Sequence, residues 1–349
     1  MRNLLSLTAI LACLTGAHAQ VNYSTNVVGF YSLHVSANQP VLIANQLNTV
    51  SNTLSQLLPG APPGATLSKF DGGGYTTATL GDGAWDSDLT LNPGEGGLYT
   101  SPADATLTFC GAVLQGSLTN TLPVGEQVIR SAMVPLSGRG SADLGIPGEN
   151  NDTLALDAGG YTTYTFRASG WNPSDPVIGA GQAWWYQRAN SLDDGLWVQS
   201  FALSPITAGG ASLGIAPAGD GQFTLTLSGA SGGTAYYVMS KPILTSTFWS
   251  HEATIAGNSS STVYANGRDS AYFRAIGATV DTDGDGIPDW WMMVYFGHPT
   301  GQAYDKSRAE DDTDGDGVNN KQEFIKGTNP RYAASAKLFI SSPKPYNLP

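Results

Sequence analysis

The sequence predicts an all-β protein of tandem repeated β modules, a small β-sandwich and a C-terminal acidic segment with two short helices. Three observations carry that expectation. The chain of 349 residues holds 43 Gly and 20 Pro and is only 13% charged, so turn residues punctuate short Thr- and aromatic-rich runs, the pattern of β architectures. Its first half repeats itself. Near its end the hexapeptide Asp-Thr-Asp-Gly-Asp-Gly occurs twice, from Asp281 and again from Asp312.

The N-terminus reads as a secretory signal. Arg2 supplies the positive start, Leu4 to Leu14 the apolar stretch and Ala17-His18-Ala19 the small-residue cleavage site. The apolar stretch is too short to span a bilayer. Ile10-Leu11-Ala12-Cys13 loosely resembles a lipoprotein cleavage box, but Leu11 fits it poorly, so cleavage near Ala19 and export of a free chain are expected. Removal of Cys13 leaves Cys110 as the single cysteine, which excludes an intramolecular disulfide and leaves stability to packed cores and bound ions. No later run approaches about 18 consecutive apolar residues, so no transmembrane segment is expected.

The repeat aligns Asp71-Gly-Gly-Gly-Tyr-Thr-Thr-Ala-Thr with Asp157-Ala-Gly-Gly-Tyr-Thr-Thr-Tyr-Thr, and Trp85 with Trp171. The segment from Gly94 to Tyr99 then matches Gly181 to Tyr186, and Val41-Leu42-Ile43 stands where Val128-Ile129 recurs. These matches place one β module at residues 27–105 and a second at 106–205, each with a strand starting at Tyr75 or Tyr161 after a glycine turn. Residues 206–280 change character. A Gly- and Pro-rich connector leads to the alternating run Phe223 to Leu227, then to Tyr236 to Met239 and Ala271 to Ala275, consistent with a small β-sandwich. Beyond it, Ile287-Pro288-Asp289 opens a short helix that Gly297 and Pro299 end, and Asn320 to Lys326 forms another stopped by Gly327 and Pro330. The tail at 331–349 carries no clear signal.

Between Asp281 and Lys326 lie eleven acids against four basic residues, an excess more simply explained by cations than by solvation alone. Carboxylates at alternate positions of a tight loop converge on one point, and a glycine at the sixth position permits the turn. A hard, oxygen-seeking ion such as Ca²⁺ needs that arrangement. The second loop carries a complete twelve-residue set: Asp312, Asp314 and Asp316, the Val318 carbonyl, Asn320 at the ninth position and Glu323 at the twelfth as bidentate ligand. The first offers Asp281, Asp283, Asp285, the Ile287 carbonyl and Asp289, but its twelfth position is Met292, whose thioether cannot replace a carboxylate. Weaker binding is expected there, with Asp305, Glu310 or Asp311 completing the shell from outside. Pro288 and Asn319 occupy the eighth positions, where paired EF-hands carry an apolar residue, and no amphipathic helix precedes either loop. Residues 281–330, with their ending Gln322-Glu323-Phe324-Ile325-Lys326-Gly327-Thr328-Asn329-Pro330, instead resemble the bacterial thrombospondin type 3 repeat. That resemblance implies calcium binding in an exported, modular protein.

Other chemistries find little support. With 16 Lys and Arg against 28 Asp and Glu, the chain lacks a nucleic-acid footprint. Gly210-Ala-Ser-Leu-Gly214 has the spacing of a serine-hydrolase elbow, but it sits in a Gly- and Pro-rich connector with no helix after it. His34, His251 and His298 share no metal-ligand spacing, and Asp82, Asp86, Asp88, Asp193 and Asp194 occupy turn contexts where acids are ordinary. In Trp184-Trp185-Tyr186 a strand would bury one tryptophan and turn the other outward, to pack on the adjacent module or stack on a sugar. The expectation is a secreted, non-catalytic calcium-binding protein with a structural or adhesive role, its partner a surface or extracellular polysaccharide or protein. The alternative is a carbohydrate-binding accessory protein, or part of a polysaccharide-degrading system.

Overall fold

The computed structural model describes residues 24–70, 72–157, 159–189, 194–203, 210–230 and 233–335. The signal segment 1–19, Asp71, Asp193 and most of the C-terminal tail lie outside them. The all-β class is borne out, with three short helices among the described residues.

The first repeat runs through β1 (Val28–Val35), β2 (Val41–Ala44), α1 (Leu54–Leu57), β3 (Thr66–Phe70), β4 (Tyr75–Thr79), β5 (Gly96–Thr100) and β6 (Ala105–Ala112). The second runs through β7 (Gly116–Leu122), β8 (Gln127–Ser131), β9 (Gly138–Arg139), β10 (Thr153–Asp157), β11 (Tyr161–Arg167), β12 (Gly170–Asn172), β13 (Val177–Ile178), β14 (Ala183–Gln187) and β15 (Gly195–Phe201). Sheet order β2-β5-β3-β4 in the first corresponds, strand for strand, to β8-β14-β10-β11 in the second, which adds β12 at its edge. The outer strands correspond as well, since β1 pairs with β6 and β7 with β15, all antiparallel. By pairing, then, β6 closes the first copy, and the junction falls between Ala112 and Gly116 rather than at residue 105.

The two copies meet at a seam where Leu42 and Ala44 pack against Ile129 and Ala183, with Phe70 and Trp185 alongside. The backbones approach closely at Gly96, where a Cβ would lie 2.5 Å from that of Ala183 and 2.6 Å from the Ile129 Cγ2. Only glycine fits there. Trp184 is fully buried in the core of the second copy, 5.7 Å from Trp197. Trp185 is half-buried and stands edge-on to Phe70 at 5.3 Å and to Tyr75 at 6.3 Å, so it packs on the adjacent module.

The third part contains β16 (Ser212–Gly219), β17 (Gln222–Ser228), β18 (Ala235–Lys241), β19 (Ser250–Ala256), β20 (Ser260–Tyr264) and β21 (Ser270–Gly277). Strands β16-β17-β20 form one sheet, and the facing sheet has the order β19-β18-β21-β1-β6. The sandwich therefore incorporates two strands from the first repeat. Its middle sheet is buried on both faces. From β1, Val28 and Phe30 point into the core shared with Leu213, Phe223 and Leu225, while Tyr31 and Val35 point into the core of the first module. The period-2 alternation of a strand allows this double service. Strand β16 runs through the segment read from sequence as a loose connector; its Pro217 is tolerated because β16 is an edge strand.

Helix α2 (Asp289–Tyr295) lays the acidic segment on this body. Met293 enters the core of the first module, Trp290 lies 4.7 Å from Tyr237, and the Asp289 N–H donates to the Val280 carbonyl at 2.8 Å. Trp291, Met292 and Phe296 form a separate small core with Ile287 and Ala309, against which Phe324 of α3 (Asn320–Lys326) packs. Gly327 ends α3 in the left-handed region at φ 69°, which glycine adopts without strain.

Candidate metal centres

The two acidic loops fold by the same local rules. The carboxylate at the first position ties the loop to itself: Asp281 accepts from the N–H groups of Gly284 (2.9 Å) and Gly286 (2.8 Å), and Asp312 from those of Gly315 (2.7 Å) and Gly317 (2.8 Å). The fifth position accepts two residues on, Asp285 from Ile287 and Asp316 from Val318. These bonds require left-handed turns at both glycines of each loop, with φ between 71° and 91°. A Cβ there would be strained, which is why the sequence alternates Asp with Gly. In each loop three carboxylates, Asp281, Asp283 and Asp285 or Asp312, Asp314 and Asp316, bring oxygens within 4.8 Å of one another.

Beside the second loop a further carboxylate, Glu323 on α3, is fully buried and feels the charges of Asp314 and Asp316, outside the group of three. The Asp314 Oδ2, the Asp316 Oδ2 and the Glu323 Oε2 are all buried without a hydrogen-bond partner. Three solvent-excluded anionic oxygens without donors are costly, and a divalent cation is the group that satisfies such a set. Burial first, and then the charges of Asp316 and Asp312, raise the Asp314 carboxyl above its ordinary range. Burial, followed by the charges of Asp314 and Asp316, raises Glu323 likewise. The residues present fit calcium.

The first centre differs. Position twelve, Met292, is a core residue at 1% exposure. The acids expected to complete the shell are engaged elsewhere. Asp305 bonds His298 Nε2 at 2.7 Å, while Asp311 and Glu310 face Arg308 at 3.1 and 3.8 Å. Instead a cation approaches the loop: the Lys321 ammonium, presented by α3, donates to the Asp285 carbonyl at 2.6 Å. The Asp283 Oδ2 accepts from the Gly301 N–H at 2.7 Å. Burial, with the charges of Asp283 and Asp281, still raises Asp285, and Lys321 offsets part of the effect.

The ninth-position side chains each bond a threonine within their own loop. Asp289 accepts from the N–H and hydroxyl of Thr282 (2.8 and 2.5 Å), and Asn320 accepts from the hydroxyl of Thr313 while donating to the carbonyls of Lys306 and Arg308. They brace the loops through the second-position threonines. The signal for that role was in the sequence, because Thr282 and Thr313 recur identically. Lys321 and Ser335, whose hydroxyl reaches Glu323 Oε1 at 3.4 Å, had no such signal.

Two results are expected. Removing the ammonium by Lys321→Met should strengthen calcium binding at the first loop. A unit charge nearby in a largely aqueous setting is worth about 1 kcal/mol, roughly fivefold in affinity, and calorimetric titration reads it as tightening of the weaker site. The second concerns pH. Asp285, Asp314 and Glu323 have folded pKa values raised above the unfolded ones, so their ionisation opposes folding at neutral pH. In calcium-free buffer the melting temperature should rise as pH falls from neutrality through those raised values toward the ordinary carboxylate range. Below that range the trend reverses. Asp305 and Glu252, where hydrogen bonds and charge from His298 or Arg268 outweigh burial, are lowered and lose their contribution only there. In excess calcium, acidification should lower the melting temperature from the outset, because protons compete with the ion.

The hydrolase-like spacing assembles no triad. Ser212 lies exposed on β16, and the described histidines bond Thr106, Thr254 and the Thr300–Asp305 pair.

The family model of the bacterial TSP3 repeat matches residues 312–330. That span covers the second loop and α3 and is similar to a family of calcium-binding structural repeats. No curated protein and no solved structure matches the chain. Among the described residues no helix is long and apolar enough to cross a membrane.

Proposed function

We propose that the chain is an exported, non-catalytic structural or adhesive protein whose C-terminal segment is set in place by calcium. The three buried, donorless oxygens of Asp314, Asp316 and Glu323 carry the reading. A cation there joins α3 to the loop, and α3 in turn packs Phe324 against Trp290 and Trp291. Calcium thus consolidates the small core that seats the segment on the β body. In the extracellular medium calcium modules typically work at Kd of about 10⁻⁴ to 10⁻³ M, and the signal-like N-terminus agrees with that setting. Calorimetric titration of the mature chain with calcium, alongside thermal melting in chelator, tests the proposal. Stabilisation by calcium with saturable binding is expected, and an unchanged melting temperature overturns it.

One observation favours the carbohydrate-binding alternative. Tyr75 and Tyr161, equivalent positions of the two repeats, are each about half exposed, and Tyr161 is near enough that, after burial, its charge helps raise the Tyr75 hydroxyl. With Trp185 they form an aromatic group on one side of the seam. Affinity electrophoresis in soluble polysaccharides tests this reading, with retardation lost in Tyr75→Ala and Tyr161→Ala as the supporting result.

A further inference from the structure

A groove runs along the open edge of the middle sheet. Strand β6 is the last of that sheet, and its sequence, Ala105-Thr-Leu-Thr-Phe-Cys-Gly-Ala112, carries neither charge nor proline, the devices that ordinarily blunt an exposed edge. Pairing at this edge starts and stops. Ala112 exchanges both backbone bonds with Asn48, at 2.8 Å each. By the alternation of an antiparallel ladder, the N–H and C=O groups of Cys110, Thr108 and Thr106 point the same way, and no strand or bridge among the described residues meets them. The edge of β16 is treated alike. The Asn26 side chain takes the N–H and C=O of Leu213 at 2.9 and 2.7 Å, and no described strand pairs with Ile215, which is turned the same way.

Between the two edges lies a cavity of about 670 Å³, lined by Val50, Pro59, Cys110, Ala112, Leu213 and Ile215, among others. A second, of about 260 Å³, extends it past Thr106 and Thr108 and shares Pro59 and Pro217 with it. Val50, on the rim, is 97% exposed. Both walls are apolar, so the groove suits an extended segment that is apolar on both faces and pairs its backbone with β6. Beyond the described residues, and apart from the signal-like N-terminus, three consecutive large apolar residues occur once, at Leu338-Phe339-Ile340. The described chain stops at Ser335, which bonds Asn329, and Arg331 lies 5.2 Å over the Phe248 ring, just ahead of β19. Strand β19 is the opposite edge of the sheet, four spacings or about 19 Å from β6. The link through Ala336 and Lys337 spans about 11 Å at most, less than the width of the sheet it would have to cross.

We propose that residues 338–340 of one molecule dock in this groove of a second copy, adding a strand to β6 and joining molecules head to tail. Donor segment and acceptor groove are different surfaces of the chain, so the contact is heterologous and generates a series of oligomers rather than a two-fold dimer.

The test uses the whole mature chain in calcium. Sedimentation velocity over a range of protein concentrations should show oligomers beyond the dimer. Hydrogen exchange at the Thr106, Thr108 and Cys110 amides should slow by about tenfold or more as they form. Phe339→Asp, beyond the described residues, and Val50→Arg, at the exposed rim, should each leave a monomer with fast exchange at those amides. A synthetic peptide of residues 336–349 should bind the Phe339→Asp chain saturably, one to one, and slow the same amides. Neither variant should change the effect of calcium on the melting temperature, so assembly and calcium binding are read separately. A chain that stays monomeric with fast-exchanging amides, or oligomers and protection unchanged in both variants, overturns the proposal. So does slow exchange in a monomer that Phe339→Asp abolishes, which would seat the segment in its own groove.

Discussion

Replacing Glu323 by glutamine is expected to reverse sign with calcium: destabilising in its presence, stabilising in its absence. In excess calcium the variant loses the one carboxylate that α3 contributes to the second centre. A charge-assisted contact of this kind is worth about 1.5–3 kcal/mol, roughly ten- to a hundredfold in Kd. At a concentration about a hundredfold above the native Kd, calcium stabilises the folded chain by about 2.7 kcal/mol. Most of that vanishes once the variant's Kd approaches the free calcium concentration. In chelator the order inverts, because Glu323 is fully buried and its carboxyl is raised by burial and by Asp314 and Asp316. The neutral amide keeps the shape and removes the repulsion. Scanning calorimetry of both proteins in calcium and in chelator measures the crossing. A variant less stable than the parent under both conditions would show that Glu323 packs the helix and does not serve an ion.

The crossing should be confined to the second loop, and the reason bears on how much the sequence disclosed. Ligand spacing is local, so the alternating Asp pattern anticipated the three converging carboxylates of each loop, while Glu323 lies buried on α3 outside those groups. Completion of the first shell is not local. It depended on which distant acids face the loop, and the folded chain gives Asp305 to His298, Asp311 and Glu310 to Arg308, and brings in Lys321. Position nine depends on more than spacing as well. An Asp or Asn there satisfies the ligand pattern equally well when its side chain braces a threonine at position two. Only the hydrogen bonds of Thr282 and Thr313 separate the two roles.

The fold shows the same division between local and distant information. Tyr75 and Tyr161 marked hairpin strands because glycine turns and alternating Thr are short-range signals. Strand β16, Ser-Leu-Gly-Ile-Ala-Pro-Ala-Gly, has weak propensity and is held mainly by its pairing with β17, so sequence read it as a connector. Nor could periodicity show that Val28–Val35 belongs to two cores. A strand buried on both faces reads as a nearly continuous apolar run, and the strands it pairs with lie some 80 and 240 residues further along the chain.

That shared strand sets the second large effect expected. Phe30 is fully buried and stacks on Phe223 with ring centres 4.2 Å apart and planes 15° from parallel, with Phe273 at 6.4 Å. Phe30→Ala removes the ring from the middle of the sandwich core and should cost about 3–5 kcal/mol. The loss should not stay in the sandwich. The same sheet presents Tyr31, Val35, Tyr272 and Ile276 to the core of the first module, where Met293 of α2 also docks. If the sheet loosens, the first module loses its floor and the calcium segment its seat. Trp184→Ala, which empties the separate core of the second repeat, should cost a similar amount without that coupling. Urea unfolding followed by tryptophan fluorescence and calorimetry separates the cases. Phe30→Ala should move sandwich, first module and calcium-dependent transition together, whereas Trp184→Ala should split off an early transition of its own. A calcium-dependent transition that stays at its parental midpoint in Phe30→Ala would refute the coupling, because α2 cannot remain docked on a sheet that has come apart.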